Sequence, residues 1–360
     1  MNSRRFLVLS GLSFLLFAIC FGLGYPTLNR YNPPSIPGMT DTVQYSNLVA
    51  NGPQVAVAHW NYRVLVPFLA KPVYWAVRGR LGTWDSISFA LLVVNSAFCA
   101  AAAFIVIILA KMLSANSAAA ILAGFAYLLN FTVANYHLSG LVDSGEAFCV
   151  VLLIWAMMSH RWTLLPVIGL LAGLTKDTFI PIGFVFAATW VFLESNVERT
   201  KPILSIAAMS VVGVSTAMVV RSAIDRHLVT PWHMVAQENL ISHGVVHNLV
   251  HVFGSWNLWL TIIWLPFAFL AGRRIPRGWR FGAFGAAGMI FVLSVWNDAG
   301  SNAARPVFDF LGSLLAISFA LSVGVLEKFV EFRSCNSVNA EVELGFHRTQ
   351  PLLLDAGHNV

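Results

Sequence analysis

Long apolar runs separated by short polar breaks dominate this chain. Ten of them lie at 6–24, 86–110, 116–136, 144–160, 162–175, 178–194, 202–221, 256–272, 281–297 and 305–325. A helix rises 1.5 Å per residue, so about 20 apolar residues cover the hydrocarbon core of a bilayer. The pattern predicts an all-α, polytopic membrane helical bundle of about ten transmembrane helices. The runs at 162–175 and 178–194 are short, and Thr175-Lys176-Asp177 lies between them. They predict two spans or one broken, re-entrant element, whose backbone must be covered by protein or water. The first run follows Ser3-Arg4-Arg5, is long for a signal core and has no small-x-small site before Tyr25. It predicts an uncleaved first helix.

Composition agrees with that reading. Of 360 residues, 58% are hydrophobic and 11% charged, where a soluble domain carries about a quarter charged. Mean hydropathy is +0.72. The formal charge of +6 comes without a basic stripe interleaved with aromatics, which speaks against nucleic acid. Cys20, Cys99 and Cys149 fall in apolar runs, Cys335 in a polar tail, and none forms a CxxC pair. Neither a disulfide framework nor a zinc site is predicted.

Charge placement gives the topology. Arg4 and Arg5, Lys111, Arg161, Arg199 with Lys201, the stretch Arg273 to Arg280, and Lys328 with Arg333 fall at alternate helix ends. The positive-inside rule puts those ends, and both termini, in the cytoplasm. The predicted layout is a multi-span domain over 1–326 and a short, polar, disordered cytoplasmic tail over 327–360. Outer loops fall at about 25–84 and 222–255.

Asp41, Asp143, Glu146, Lys176, Asp177, Asp225, Glu238, Asp298, Arg305 and Asp309 then gather at the opposite, outer level. Ionisable groups at membrane depth are expensive and usually face a functional cavity. Asp143 and Glu146, spaced i and i+3, share one helix face. Lys176 and Asp177 could pair with each other. In the first outer loop a proline-rich stretch, Pro33 to Pro37, precedes a helix start at Thr40-Asp41, where an acid suits the helix dipole. A second stretch, 61–80, mixes Arg63, Lys71, Arg78 and Arg80 with large apolar residues and predicts an interfacial helix. In the second loop His243, His247 and His251 fall on one helix face, a spacing that can share a metal ion but here lacks an acid or cysteine.

Three segments carry a resemblance: Asp41-Thr42-Val43-Gln44-Tyr45, Asn61-Tyr62-Arg63-Val64-Leu65-Val66-Pro67, and Gly173-Leu174-Thr175-Lys176-Asp177-Thr178. Asn297-Asp298 with Arg305-Pro306 is a weaker echo. With the layout of 1–325, these resemble the GT-C-type polytopic membrane glycosyltransferases, which use polyprenyl-phosphate-linked sugars; the chain reads as a distant member. The resemblance implies Asp41 as the catalytic base and Asp143 and Glu146 as groups that orient the acceptor or hold a divalent cation, Mg²⁺ or Mn²⁺. It implies Lys176, Arg305 and Arg63 as ligands of the donor phosphate. The partners are then a polyprenyl-phosphate-linked sugar and membrane lipids, and the place a bacterial inner (plasma) membrane. Asp41 stands alone where many members carry paired acids, and where many carry a soluble outer domain after the last span, the tail from about Glu327 reads as short, polar and cytoplasmic. A transporter, a lipid flippase or a non-catalytic relative is the alternative. Against transport, no inverted repeat is visible and the cytoplasmic half of the spans is almost purely apolar.

Overall fold

The computed structural model describes residues 3–30, 40–53, 59–114, 116–194, 199–231, 244–296 and 303–324. Every described element is helical: α1 Ser3–Arg30, α2 Thr40–Asn51, a 3₁₀ turn His59–Tyr62, α3 Leu65–Val77, α4 Ser86–Ser114, α5 Ser117–Leu128, a π-helical turn Val133–His137 and α6 Asp143–Met158. Then follow α7 Leu165–Thr175, α8 Phe179–Leu193, α9 Thr200–Asp225, α10 Val245–Gly254, α11 Trp256–Thr261, α12 Leu265–Ala271, α13 Arg277–Trp296 and α14 Ala304–Gly324. Each of the ten expected runs is largely helical.

Among the described residues, five helices are long and apolar enough to cross a bilayer unaided: α1, α4, α9, α13 and α14. The apolar segment from Val245 to Arg274 bends by 49° after Gly254, as a broken span or a re-entrant element does; within it the expected run 256–272 is built from two short helices, α11 and α12. Helices α5, α7 and α8 are apolar but short, as Lys176 and the π-turn interrupt the runs that contain them. The chain is an integral membrane protein. Its outward faces carry Phe6, Leu7, Phe14, Leu204, Val211, Val219 and Phe269 exposed, surface that water would disfavour and lipid tails accept.

One apolar core runs through the bundle from Leu16 of α1 to Leu321 of α14. The window of α14 is 83% buried and that of α1 only 11%, which puts α14 inside and α1 at the lipid boundary. α7 packs most extensively on α9. Glycines allow it: a Cβ on Gly169 would stand 2.2 Å from the Met209 carbonyl oxygen, and one on Gly173 2.6 Å from that of Gly213. Gly169→Val should therefore lower stability by about 1–3 kcal/mol through overpacking. The check is thermal unfolding in detergent beside Gly11→Val, whose Cβ meets nothing within 4 Å.

The first outer loop is a structured cap. Tyr45, Leu48 and Val49 of α2 join Val66, Ala70 and Tyr74 of α3 in a second cluster with Leu91 and Val94 of α4. Thr42 donates to the Ser139 carbonyl at 3.2 Å. Phe68, Leu69 and Trp75 of α3 stay exposed, with Lys71 over Trp75 at 5.5 Å and Arg78 over Tyr74 at 5.7 Å. That is the interfacial helix expected over 61–80. Helix α1 continues through Pro26 to Arg30, and α10 lies within the stretch 222–255. The proline stretch, Glu238, His243, Asn297-Asp298 and the tail 327–360 lie outside the described residues.

Candidate functional site

The site starts from two acids at a helix N-terminus. Asp143 and Glu146 open α6 and are buried, where the partial positive charge of the helix end favours them. That alone does not offset removing two carboxylates from water, which costs several kcal/mol each. The matching cation comes from α7. Lys176 donates through Nζ to Asp143 Oδ1 at 3.0 Å and to Glu146 Oε2 at 2.5 Å. Asp177 is not its partner. The backbone at Lys176 is extended, with φ −165° and ψ 118°, so consecutive side chains point to opposite sides. Asp177 turns the other way and accepts from Arg221 Nη2 of α9.

Arg305, in the first turn of α14, ties this pair to the loop cap. Its Nη1 lies 3.4 Å from Asp143 Oδ2 and 3.4 Å from Asp41 Oδ2. Asp41 also accepts from Trp60 Nε1 at 3.0 Å. The guanidinium rests over the Tyr136 ring at 5.3 Å, and Tyr136 Oη accepts from Asn257 Nδ2 at 2.5 Å. The carboxylates of this set grow less exposed from the loop cap to α6. The Asp41 side chain is 25% exposed, Arg305 11%, Lys176 10%, Asp143 4% and Glu146 0%. Asp41 is therefore the carboxylate of this set that an incoming molecule can reach.

A second network flanks the first. Arg63 Nη1 donates to Tyr45 Oη at 3.1 Å; among the described residues no carboxylate lies within ion-pair distance of it, while Asp177 and Asp143 attract it through space. Burial pushes the Tyr45 phenol up, so it remains a neutral partner. Arg221 lies over the Tyr62 ring at 4.7 Å, and Tyr62 Oη donates to Asp225 at 2.9 Å. Burial first, and then that hydrogen bond, push the Tyr62 phenol up and keep it a donor. Tyr62, Arg221 and Asp225 thus clasp the first outer loop to α9.

The deepest part of the site is lined by a third carboxylate. One oxygen each from Asp143, Glu146 and Asp309 lie within 4.8 Å of one another. Asp309, one turn below Arg305 on α14, faces His137 of the π-turn, with Nε2 and Oδ1 3.2 Å apart. His247 and His251 meet edge to face in adjacent turns of α10, ring centroids 6.0 Å apart; no group of three candidate ligands includes them among the described residues.

Asp41, Asp143, Glu146, Lys176 and Arg305 thus stand in one connected set, with Arg63 near enough to be attracted by Asp143 through space. Trp60, Tyr136, His137 and Arg221 carried no sequence signal of their own. Tyr136 and His137 border an apolar run, and Arg221 ends one.

No family model matches the chain, and no curated protein matches it in sequence. The crystal structure of ArnT from Cupriavidus metallidurans bound to undecaprenyl phosphate is similar to it, with a TM-score of 0.57 and 15% identity. The match covers 86% of this chain and 60% of that one. The chain shares the fold of that structure. It spans about 60% of the length of that structure. The architecture that the three short segments imply is the one found. Within this fold, the cap formed by α2, the 3₁₀ turn and α3 brings Asp41 and Arg63 toward the ends of α6, α7 and α14, where the buried charges lie.

Proposed function

We propose that this protein transfers a sugar from a polyprenyl-phosphate donor to an acceptor at the outer face of a bacterial inner membrane. One observation carries the reading: the most accessible acid, Asp41, shares Arg305 with the buried Asp143–Lys176–Glu146 set. A base and phosphate-seeking cations stand within one side chain of each other. Inverting transfer needs that combination.

In this reading Asp41 removes the proton of the acceptor hydroxyl as its oxygen attacks the anomeric carbon. The bond from that carbon to the phosphate oxygen breaks, and the lipid phosphate leaves with the electron pair. Arg305 and Arg63 meet the charge it acquires, since a guanidinium suits bidentate contact with phosphate. Arg63 takes a larger part than Lys176, because its hydrogen bond goes to a neutral phenol while Lys176 is held by two carboxylates. Asp143 and Glu146 orient Lys176 and Arg305 around the acceptor. A divalent cation, Mg²⁺ or Mn²⁺, is the cofactor that these acids would accept. The likeness to a structure holding undecaprenyl phosphate supports the lipid part of the donor.

Arg63→Gln should raise the KM for a polyprenyl-phosphate sugar about tenfold or more, the loss of one charge-assisted phosphate contact. Steady-state kinetics in nanodiscs checks this. An unchanged KM would return the phosphate to Lys176 and Arg305.

A further inference from the structure

Asp41 and Asp143 share Arg305, yet neither carboxylate holds it closely. Its Nη1 stands 3.4 Å from one oxygen of each, whereas a charge-assisted hydrogen bond of this kind closes to about 2.7–2.9 Å. A third contact completes its setting: the guanidinium lies over the Tyr136 ring at 5.3 Å. A cation over an aromatic face is attracted by the negative face of the ring, so the place of the ring bears on the place of the charge. What holds Tyr136 therefore matters to the site.

Tyr136 belongs to the π-turn, and its hydroxyl accepts from Asn257 Nδ2 at 2.5 Å. Asn257 lies in α11, just past the bend after Gly254. A buried polar network docks α11 on the residues that lead into the π-turn. Asn130 Nδ2 donates to the Thr261 carbonyl at 2.9 Å, and the Thr132 N–H donates to Asn130 Oδ1 at 3.0 Å. Thr261 Oγ1 donates to the Asn257 carbonyl at 2.7 Å. A hydroxyl has one proton to give, so Thr132 Oγ1 is the donor in its 2.6 Å bond with Thr261 Oγ1. Asn130, Thr132 and Thr261 are buried, where polar groups are costly unless paired. Packing alone does not place α11, since Leu258 is buried while Trp256 and Trp259 are exposed. The hydrogen bonds set its register and carry Asn257 to the Tyr136 hydroxyl.

We propose that Asn257 is a positioning residue: by holding the Tyr136 hydroxyl it fixes the ring on which Arg305 rests, and so where that guanidinium stands between Asp41 and Asp143. Two interruptions of regular helix, the π-turn and the 49° bend after Gly254, thereby meet at one hydrogen bond. π-turns recur at functional sites. The consequence for a lipid phosphate rests on the function proposed above, whereas the placing of Arg305 follows from the protein's own contacts.

The test uses the full chain in nanodiscs with isotopically labelled arginine, the Arg305 side-chain resonance being identified by its loss in Arg305→Gln. The Tyr136 ring current acts on that resonance, so Asn257→Leu and Tyr136→Phe should each shift it. Tyr136→Phe keeps the ring and its packing, and so serves should Asn257→Leu fail to fold. Undecaprenyl phosphate is then titrated into the same particles. Each single variant should weaken binding about three- to tenfold, the effect of one hydrogen bond, and the double variant no more than either alone. A support for α11 without bearing on Arg305 would lower the unfolding temperature and leave both readouts at wild type. An Arg305 resonance unmoved in both variants would overturn the assignment, as would fully additive losses of affinity. Wild-type affinity in both variants beside a loss in Arg305→Gln would overturn it too. Undiminished binding in Arg305→Gln with the resonance shifted in Asn257→Leu and Tyr136→Phe would keep Asn257 as the positioning residue and remove Arg305 from the phosphate site.

Discussion

Asp41→Asn is expected to cut sugar transfer about 10²–10⁴-fold, the range that a general base supplies, while the protein stays folded. The fold should tolerate the change because of how Asp41 is held. Its side chain is 25% exposed, and its partner Arg305 keeps a second carboxylate in Asp143. Trp60 Nε1 can still donate to the amide oxygen of Asn where it now donates to Asp41 Oδ1. A partly solvated ion pair of this kind contributes on the order of 1 kcal/mol or less. Donor consumption and unfolding temperature, measured on the same preparation, separate the two effects. Full activity in a folded Asp41→Asn protein would remove Asp41 as the base.

The second large effect falls on stability. Lys176→Met leaves Asp143 Oδ1 and Glu146 Oε2 buried without their shared cation. Removing one member of a buried ion pair typically costs about 3–5 kcal/mol, because the remaining charge cannot be solvated. Lys176→Met should accordingly show a large drop in unfolding temperature in detergent. Adding Glu146→Gln to it should recover part of the loss, since the double variant buries one uncompensated charge fewer. Equal stability of Lys176→Met and wild type would mean that the ion pair does not hold α6 and α7 together.

Much of this architecture was legible because the bilayer imposes simple rules on a chain. Every backbone polar group must be satisfied internally, so apolar runs longer than a few turns become helices at every expected place. The sorting of charges to one end was equally readable, since few ionisable groups are present and each is costly at depth. Pairing was not readable. Arg305 reaches Asp41 and Asp143 across 264 and 162 residues, and nothing local specifies such contacts. Lys176 beside Asp177 invited a neighbour pair, but one extended residue sends the two side chains apart. The π-turn was hidden inside the run 116–136 and just beyond it. A π-turn depends on what packs against it, here Phe308 and Asp309 of α14 against His137. Arg63 looked like an interfacial arginine reaching for lipid, and the folded cap instead turns it to Tyr45.

Binding of undecaprenyl phosphate tests the central claim most directly, because it asks whether this charged site holds a lipid phosphate. Titration of wild-type protein in nanodiscs should give saturable binding. Arg63→Gln combined with Arg305→Gln should weaken that binding at least about 100-fold, two charge-assisted contacts of about 1.5–3 kcal/mol each. Asp41→Asn should leave it intact. Undiminished binding in a folded double variant, or no saturable binding to the wild type, would contradict the account.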